Sequence, residues 1–371
     1  MAGKFEEERV ELGLETPRRS KKSKKRKLLG TLLFAVVNVG IIAATAILEF
    51  SKDASKAERI PFLGLNFRFI FAAIGCLVVI LGAETTKYML MMKKTIGKAD
   101  LKTAFQVVVI GKYYDNITPL GAGGQPFQIY YLNKQGLPKG ASASMPIAGF
   151  MSMQVGFALL ALFIMIFFKP EAVPVEMRIL AYIGVGFYLF LPAAILLFTI
   201  APKTSGRIMS FLIRLLGRIK IIKDPAKTIE STLDSIEEYR STIISMSSKR
   251  GLLISLLLLS LVYQVSMCSL PFFVLRAFGG AATWIESLSI CVFIYAAITL
   301  IPTPGNAGAA EGSFYALFST LTSSYLFWAM LVWRFFCYYI FLILGLGVFA
   351  FNGIKARRHK EINSAAEKPA S

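Results

Sequence analysis

The sequence predicts an all-α polytopic membrane protein, and three observations carry that prediction. The 371 residues are 55% hydrophobic, with a mean hydropathy of +0.60. Several apolar runs exceed about 18 residues, the length at which a hydrophobic stretch reads as a membrane-crossing helix. The formal net charge is +19. Its lysines and arginines lie between the apolar runs and at the two ends, which is the pattern of cytoplasmic loops with affinity for anionic lipid. There is no basic soluble domain, so nucleic acid is not an expected partner.

Residues 1–27 read as a disordered, basic cytoplasmic tail. An acidic patch (Glu6, Glu7, Glu8, Glu11, Glu15) precedes RRSKKSKKRK, Arg18 to Lys27, with no apolar periodicity. Its basic end sets the N-terminus inside, either as a topology signal alone or also as a clamp on anionic lipid. The leader is too long, and the following apolar run too long, for a signal peptide.

Residues 28–200 form an N-terminal membrane half. Its first span is Leu28 to Phe50 and its second Phe67 to Met92. Glu84 and Lys87 lie three apart on the second span, so they share a face and can pair. They read equally as a functional charge pair inside the membrane or as a structural pair snorkelling to the interface. Thr103–Asp115 and Phe127–Leu132 are each too short to cross, and together predict a re-entrant hairpin, 103–132. Spans Ala143–Phe168 and Ile179–Ile200 complete this half.

Residues 201–250 predict a cytoplasmic amphipathic connector. Arg207, Arg214 and Arg218 fall near one helical face, and Phe211, Leu212, Leu215 and Ile219 on another. A second helix, Pro225 to Ser247, carries an apolar stripe. Residues 251–351 form the C-terminal membrane half: a span Gly251–Arg276, a second broken hairpin 283–321, and a last span Tyr325–Phe351 containing Arg334. Residues 352–371 are a basic cytoplasmic tail. The prediction is thus about six full spans and two hairpins, with both termini in the cytoplasm of a bacterial inner membrane. Parity makes the hairpins enter from opposite faces, an arrangement that allows an inverted repeat and places a transport site near the midplane.

The two breaks are NITPLGAGGQPFQ, Asn116 to Gln128, and IPTPGNAGAAEGS, Ile301 to Ser313. In a bilayer, non-helical backbone survives only where protein or a water-filled cavity satisfies it. Each break therefore either turns outside the membrane, with its prolines and asparagines there for turn geometry, or lines a site. For a site, the residues divide by chemistry. Gly123, Gly124, Gly305 and Gly308 leave the backbone bare for close approach, and Pro119, Pro302 and Pro304 fix the turns. Pro126 opens a short helix, and Asn306 is placed to cap the helix after the second break. The two helix N-termini offer N–H groups and partial positive charge to a phosphate. Asn116 and Gln125 offer neutral hydrogen bonds. Asp115 and Glu311 offer carboxylates to an amine or a proton, and Lys112 and Arg334 offer cations to a phosphate. Lys112, Asp115, Glu84 and Lys87 form a candidate charge relay.

Several chemistries are disfavoured. The cysteines (Cys76, Cys268, Cys291, Cys337) lie in apolar windows without CxxC spacing, and the single histidine, His359, sits in the C-terminal tail. No metal site, no cofactor and no catalytic residue is expected. No nucleotide-binding glycine loop of the phosphate-cradling type is present.

NITPLGAGGQPFQIYYL and PTPGNAGAAEGSFYALF, spaced as they are, resemble the membrane domain of lysylphosphatidylglycerol synthases, a flippase-like family that includes the multiple peptide resistance factor. The resemblance covers Leu28 to Phe351. It implies a lipid flippase that moves phospholipid or aminoacylated phospholipid between leaflets, and resistance to cationic peptides where the synthase is fused. The chain ends about twenty residues after its last predicted span, so the resemblance implies translocation without aminoacyl transfer. Membrane phospholipid is the expected partner, with a separate aminoacyltransferase as a further one, and an oligomer is compatible with the sequence. The rival readings are a lipid-modifying transferase such as phosphatidylglycerol lysyltransferase, using Asp115 or Glu311 as base, and a membrane partner that docks a synthase through residues 201–250.

Overall fold

The computed structural model describes residues 64 to 366, apart from 122, 169, 219–236, 238, 239, 242, 245–247, 320 and 322–324. The expectations for the N-terminal tail, the first span and most of the second connector helix lie outside the described residues.

Among the described residues the protein is helical throughout. Helix α1 is Phe67–Ile96, α2 Leu101–Ile117, α3 Gly124–Lys134, α4 Lys139–Phe167, α5 Val175–Ile200 and α6 Pro202–Arg218. After the connector come α7 Arg250–Ala277, α8 Trp284–Ile298, α9 Ala309–Phe318 and α10 Leu326–Arg334. A π turn, Phe335–Tyr339, leads into α11, Ile340–Ala366. Among the described residues, five stretches are long and apolar enough to cross a membrane: α1, α4, α5, α7 and the composite from Leu326 to Asn352. Their outer faces carry exposed large apolar residues such as Phe71, Val78, Ile166, Phe190 and Ile254. Such a face is stable against lipid and costly against water. The protein is a multi-pass membrane protein.

The short elements explain the breaks. At 1.5 Å per residue, α2 is about 25 Å long, α3 about 16 Å, α8 about 22 Å and α9 about 15 Å, all short of a hydrocarbon core of about 30 Å. Helix α8 starts where Thr283 Oγ1 accepts the Glu286 N–H (3.4 Å), and α2 where the Asp100 carboxylate accepts the N–H groups of Lys102 (3.3 Å) and Thr103 (3.0 Å). Helix α2 persists to Ile117, so Asp115 and Asn116 are helical and the first break begins only at Thr118. Pairing of α2 with α3 is specific. The Tyr114 and Phe127 rings stack, 3.4 Å between centroids, and Gln128 Nε2 donates to the Val107 carbonyl at 3.2 Å. Gly111 is glycine because a Cβ there would meet the Gln128 side chain. Tyr131 donates to Gln106, which in turn reaches Asn352 on α11 (3.4 Å), tying the hairpin to the last helix.

Helices α1 and α7 form the most extensive helix pair. Gly156 on α4 lets that helix approach Ser260 on α7 closely. The interface holds a buried polar chain. Lys87, wholly inaccessible, pairs with Glu84 at 2.5 Å and donates to Ser260 Oγ at 3.1 Å; Ser260 donates to Ser152 at 3.1 Å. Lys87 therefore points inward, into the interior, and does not snorkel. The last span differs from its sequence reading as one regular helix. The π turn inserts beside Arg334, and such turns concentrate where side chains are re-aimed for function.

The amphipathic connector helix is present as α6. Ile208, Phe211 and Leu215 on it are exposed, alongside exposed Arg207 and Arg214. A free apolar stripe edged by arginines is the composition of a helix lying in a membrane interface.

Candidate functional site

The two breaks meet. Pro119 and Pro304 form an antiparallel bridge, the isolated β-type contact among the described residues. Neither proline carries an N–H, so the hydrogen bonds of that contact belong to flanking residues. The backbones match in detail. Thr118-Pro119 is followed by two left-handed residues, Leu120 (φ 57°) and Gly121 (φ 62°), and Thr303-Pro304 by Gly305 (φ 58°) and Asn306 (φ 53°). The Thr-Pro turns of the two breaks thus face each other across this contact.

The sequence placed free helix N-termini here, and the structure corrects that. The N–H of Gly124 at the start of α3 donates to Asp115 Oδ1 at 2.8 Å, and that of Gly123 to Thr118 Oγ1 at 2.9 Å. At the second break the cap is Gly308 (φ 86°), not Asn306. The Gly308 N–H donates to Glu311 Oε2 at 2.7 Å, while Asn306 contributes only its backbone carbonyl to the Ala310 N–H. The protein's own carboxylates thus hold both positive helix ends, as electrostatics favours.

Glu311 has a second tie. Its Oε1 pairs with Arg334 Nε at 2.5 Å, with both side chains almost completely buried. The same guanidinium reaches the Gly305 carbonyl at 3.3–3.4 Å and lies over the Tyr338 ring, 4.6 Å from its centroid. Tyr338 closes the circuit: its carbonyl accepts from Asn116 Nδ2 (3.2 Å) and its hydroxyl donates to the Asn116 carbonyl (3.4 Å). Asn116 of the first hairpin is therefore coupled to Glu311 of the second through Tyr338 and Arg334. Gly305 is bare because a Cβ would enter the Tyr338 ring.

Beside this junction lies a cavity of about 310 Å³. Of the sequence-predicted residues, Glu84, Lys112, Asp115, Asn116, Gln125, Gly305, Asn306 and Arg334 line it. Glu311, Lys87, Gly123, Gly124, Gly308, Pro119, Pro302 and Pro304 are outside that lining. Lys112 lies over the Tyr263 ring, 4.5 Å from its centroid, and no carboxylate oxygen lies within 4.0 Å of it among the described residues. Asp115, one turn further along α2, is turned instead to the α3 backbone. Of the charges on the wall, Arg334 is paired with Glu311 and Glu84 with Lys87, which leaves Lys112 and Asp115 without an ion-pair partner within 4.0 Å among the described residues. A group carrying both phosphate and amine would find partners for each.

The sequence reading missed Tyr88, Gln128, Gln154, Tyr188 and Tyr295, which also line the cavity. Gln154 was detectable as a lone amide inside an apolar span, and Tyr88 as the residue one turn from Glu84. Pro146 is a further wall residue; it cannot donate to the carbonyl at position 142, so α4 is weakened where it borders the cavity.

The fold and site together define a helical multi-pass membrane protein in which two broken hairpins meet beside an internal polar cavity. Residues 28–345 match the model for the lysylphosphatidylglycerol synthase TM region, and the chain belongs to that family. It is also similar to a UPF0104 membrane protein of the archaeon Methanocaldococcus jannaschii. The two are 25% identical over 228 residues, which is 60% of this chain and 63% of the relative. The match thus spans less than two thirds of that protein's length.

Proposed function

We propose that this protein is a lipid translocator of the flippase type, moving phospholipid or aminoacylated phospholipid between leaflets. The headgroup occupies the cavity between the two hairpins while the acyl tails remain in the bilayer. One observation carries this reading: the cavity lies where the two breaks meet and is lined by Lys112, Arg334, Glu84 and Asp115 together. Its volume suits a headgroup and not two acyl chains, since pockets for drug-sized ligands start at roughly 300 Å³. Lys112 takes the phosphate, and Asp115 takes an amine. Family membership supports a lipid as the substrate. The lysine-rich loops favour cytoplasmic termini, and a separate aminoacyltransferase would supply an aminoacylated substrate.

The test is a leaflet-exposure assay with labelled phospholipid in reconstituted vesicles. Lys112→Gln and Asp115→Asn should each slow transfer about tenfold, equivalent to roughly 1.4 kcal/mol. Wild-type rates in both variants would remove the cavity from the mechanism.

A further inference from the structure

A second cavity, of about 340 Å³, lies between the C-terminal end of α1 and the first turns of α7. It shares no residue with the central one. Lys94, Lys249 and Arg250 line it, with Leu90, Gly251, Leu252 and Ser255, and no carboxylate is among these residues. Lys249 Nζ donates to the Lys94 carbonyl at 2.7 Å, which brings its charge onto the C-terminal end of α1. Three cations thus border one concavity, with no carboxylate in the lining to pair with them. Leu252 is buried and forms an apolar floor, while Lys94, Lys249 and Arg250 remain exposed at the rim.

The surroundings point to the occupant. On α7, Leu258 follows Ser255 by three residues and Gly251 by seven, so it continues the face that lines the cavity, and it is exposed, as is its neighbour Ile254. An apolar, lipid-facing strip on α7 therefore runs up to a cationic concavity. The positive-inside rule places this lysine-rich end at the cytoplasmic interface, where anionic phosphate headgroups reside.

We propose that this cavity is a binding site for the phosphate headgroup of an anionic phospholipid, whose tails lie along α7. It is separate from the translocation pathway and does not depend on that reading. The site holds a resident lipid at the packed α1–α7 pair and thereby ties the stability of the bundle to the charge of the inner leaflet.

The experiment uses the full chain in a neutral detergent, reading thermal stability while titrating short-chain phosphatidylglycerol, short-chain phosphatidylcholine or inorganic phosphate. Phosphatidylglycerol should stabilise the protein saturably, and the other two should not. Each of Lys94→Gln, Lys249→Gln and Arg250→Gln should weaken apparent affinity about fivefold, the worth of one basic residue near an anionic surface. Ser255→Phe, which fills the cavity without changing charge, should abolish saturation, whereas Lys98→Gln, outside the cavity, should leave it intact. Equal stabilisation by phosphatidylcholine, or an unchanged response in Ser255→Phe and the lysine variants, overturns the proposal. Stabilisation by inorganic phosphate alone at the same concentrations overturns the lipid assignment.

Discussion

The two breaks share a backbone and differ in how their carboxylates are used. Both run Thr-Pro followed by two left-handed residues, and both seat a carboxylate on the N-terminus of the next helix. In the first break the carboxylate is Asp115. It faces the cavity, and the nearby cation Lys112 is left to a tyrosine ring. In the second it is Glu311, which Arg334 locks in place almost out of reach of solvent. One break thus opens its carboxylate to the cavity, and the other is braced by a buried ion pair.

That contrast can be broken in stages. Arg334→Ala leaves Glu311 as a buried charge without its partner, and should cost about 3–5 kcal/mol, seen as a large drop in the melting temperature in detergent. If the loss is no larger than that for an exposed lysine, the second break is not braced by this pair. Gly305→Ala combines a left-handed position with a Cβ driven into the Tyr338 ring. It should cost roughly 2–5 kcal/mol in the same measurement. Gly124→Ala has ordinary backbone and meets only the Asp115 carboxylate, so its cost should be smaller, about 1–3 kcal/mol. Because it dislodges Asp115, it should also slow lipid transfer, which separates the open break from the braced one.

The smallest effect lies outside the membrane. The Thr103 side-chain and backbone hydrogen bonds hold the Asp100 carboxyl below its ordinary value of 3.8. A depressed folded value gives stability that is complete above that ordinary value and is lost as pH falls through the folded one. Asp100→Ala should cost about 1 kcal/mol at neutral pH as a lost helix cap. The gap to the wild type should close as pH drops below 3.8, readable from melting temperatures across an acid series. Since Asp100 is exposed, solvent screening keeps this effect small.

Much of the architecture was legible from the sequence because lipid imposes simple rules. Long apolar runs became α1, α4, α5, α7 and the last span, and runs too short to cross became the paired helices α2–α3 and α8–α9. The roles at the site were less legible. Sequence spacing shows that a helix begins after a glycine-rich turn, but not which acceptor already sits on its N–H groups. That is why Asp115 and Glu311 read as free ligands when both are engaged. The cap is Gly308 and not Asn306, although both have positive φ, and spacing alone does not show which of the two precedes the first helical turn. Lys87 was ambiguous for the same reason. Its partner Ser260 lies 173 residues away, and no local pattern reveals a contact of that range.

The bridge between Pro119 and Pro304 has a mechanical consequence. Left-handed residues directly after each proline turn the two chains apart, so the contact cannot lengthen into a ladder. What fastens one hairpin to the other is therefore not a ladder but side chains: the two hydrogen bonds between Asn116 and Tyr338, and the Arg334 guanidinium on the Gly305 carbonyl, carry the junction.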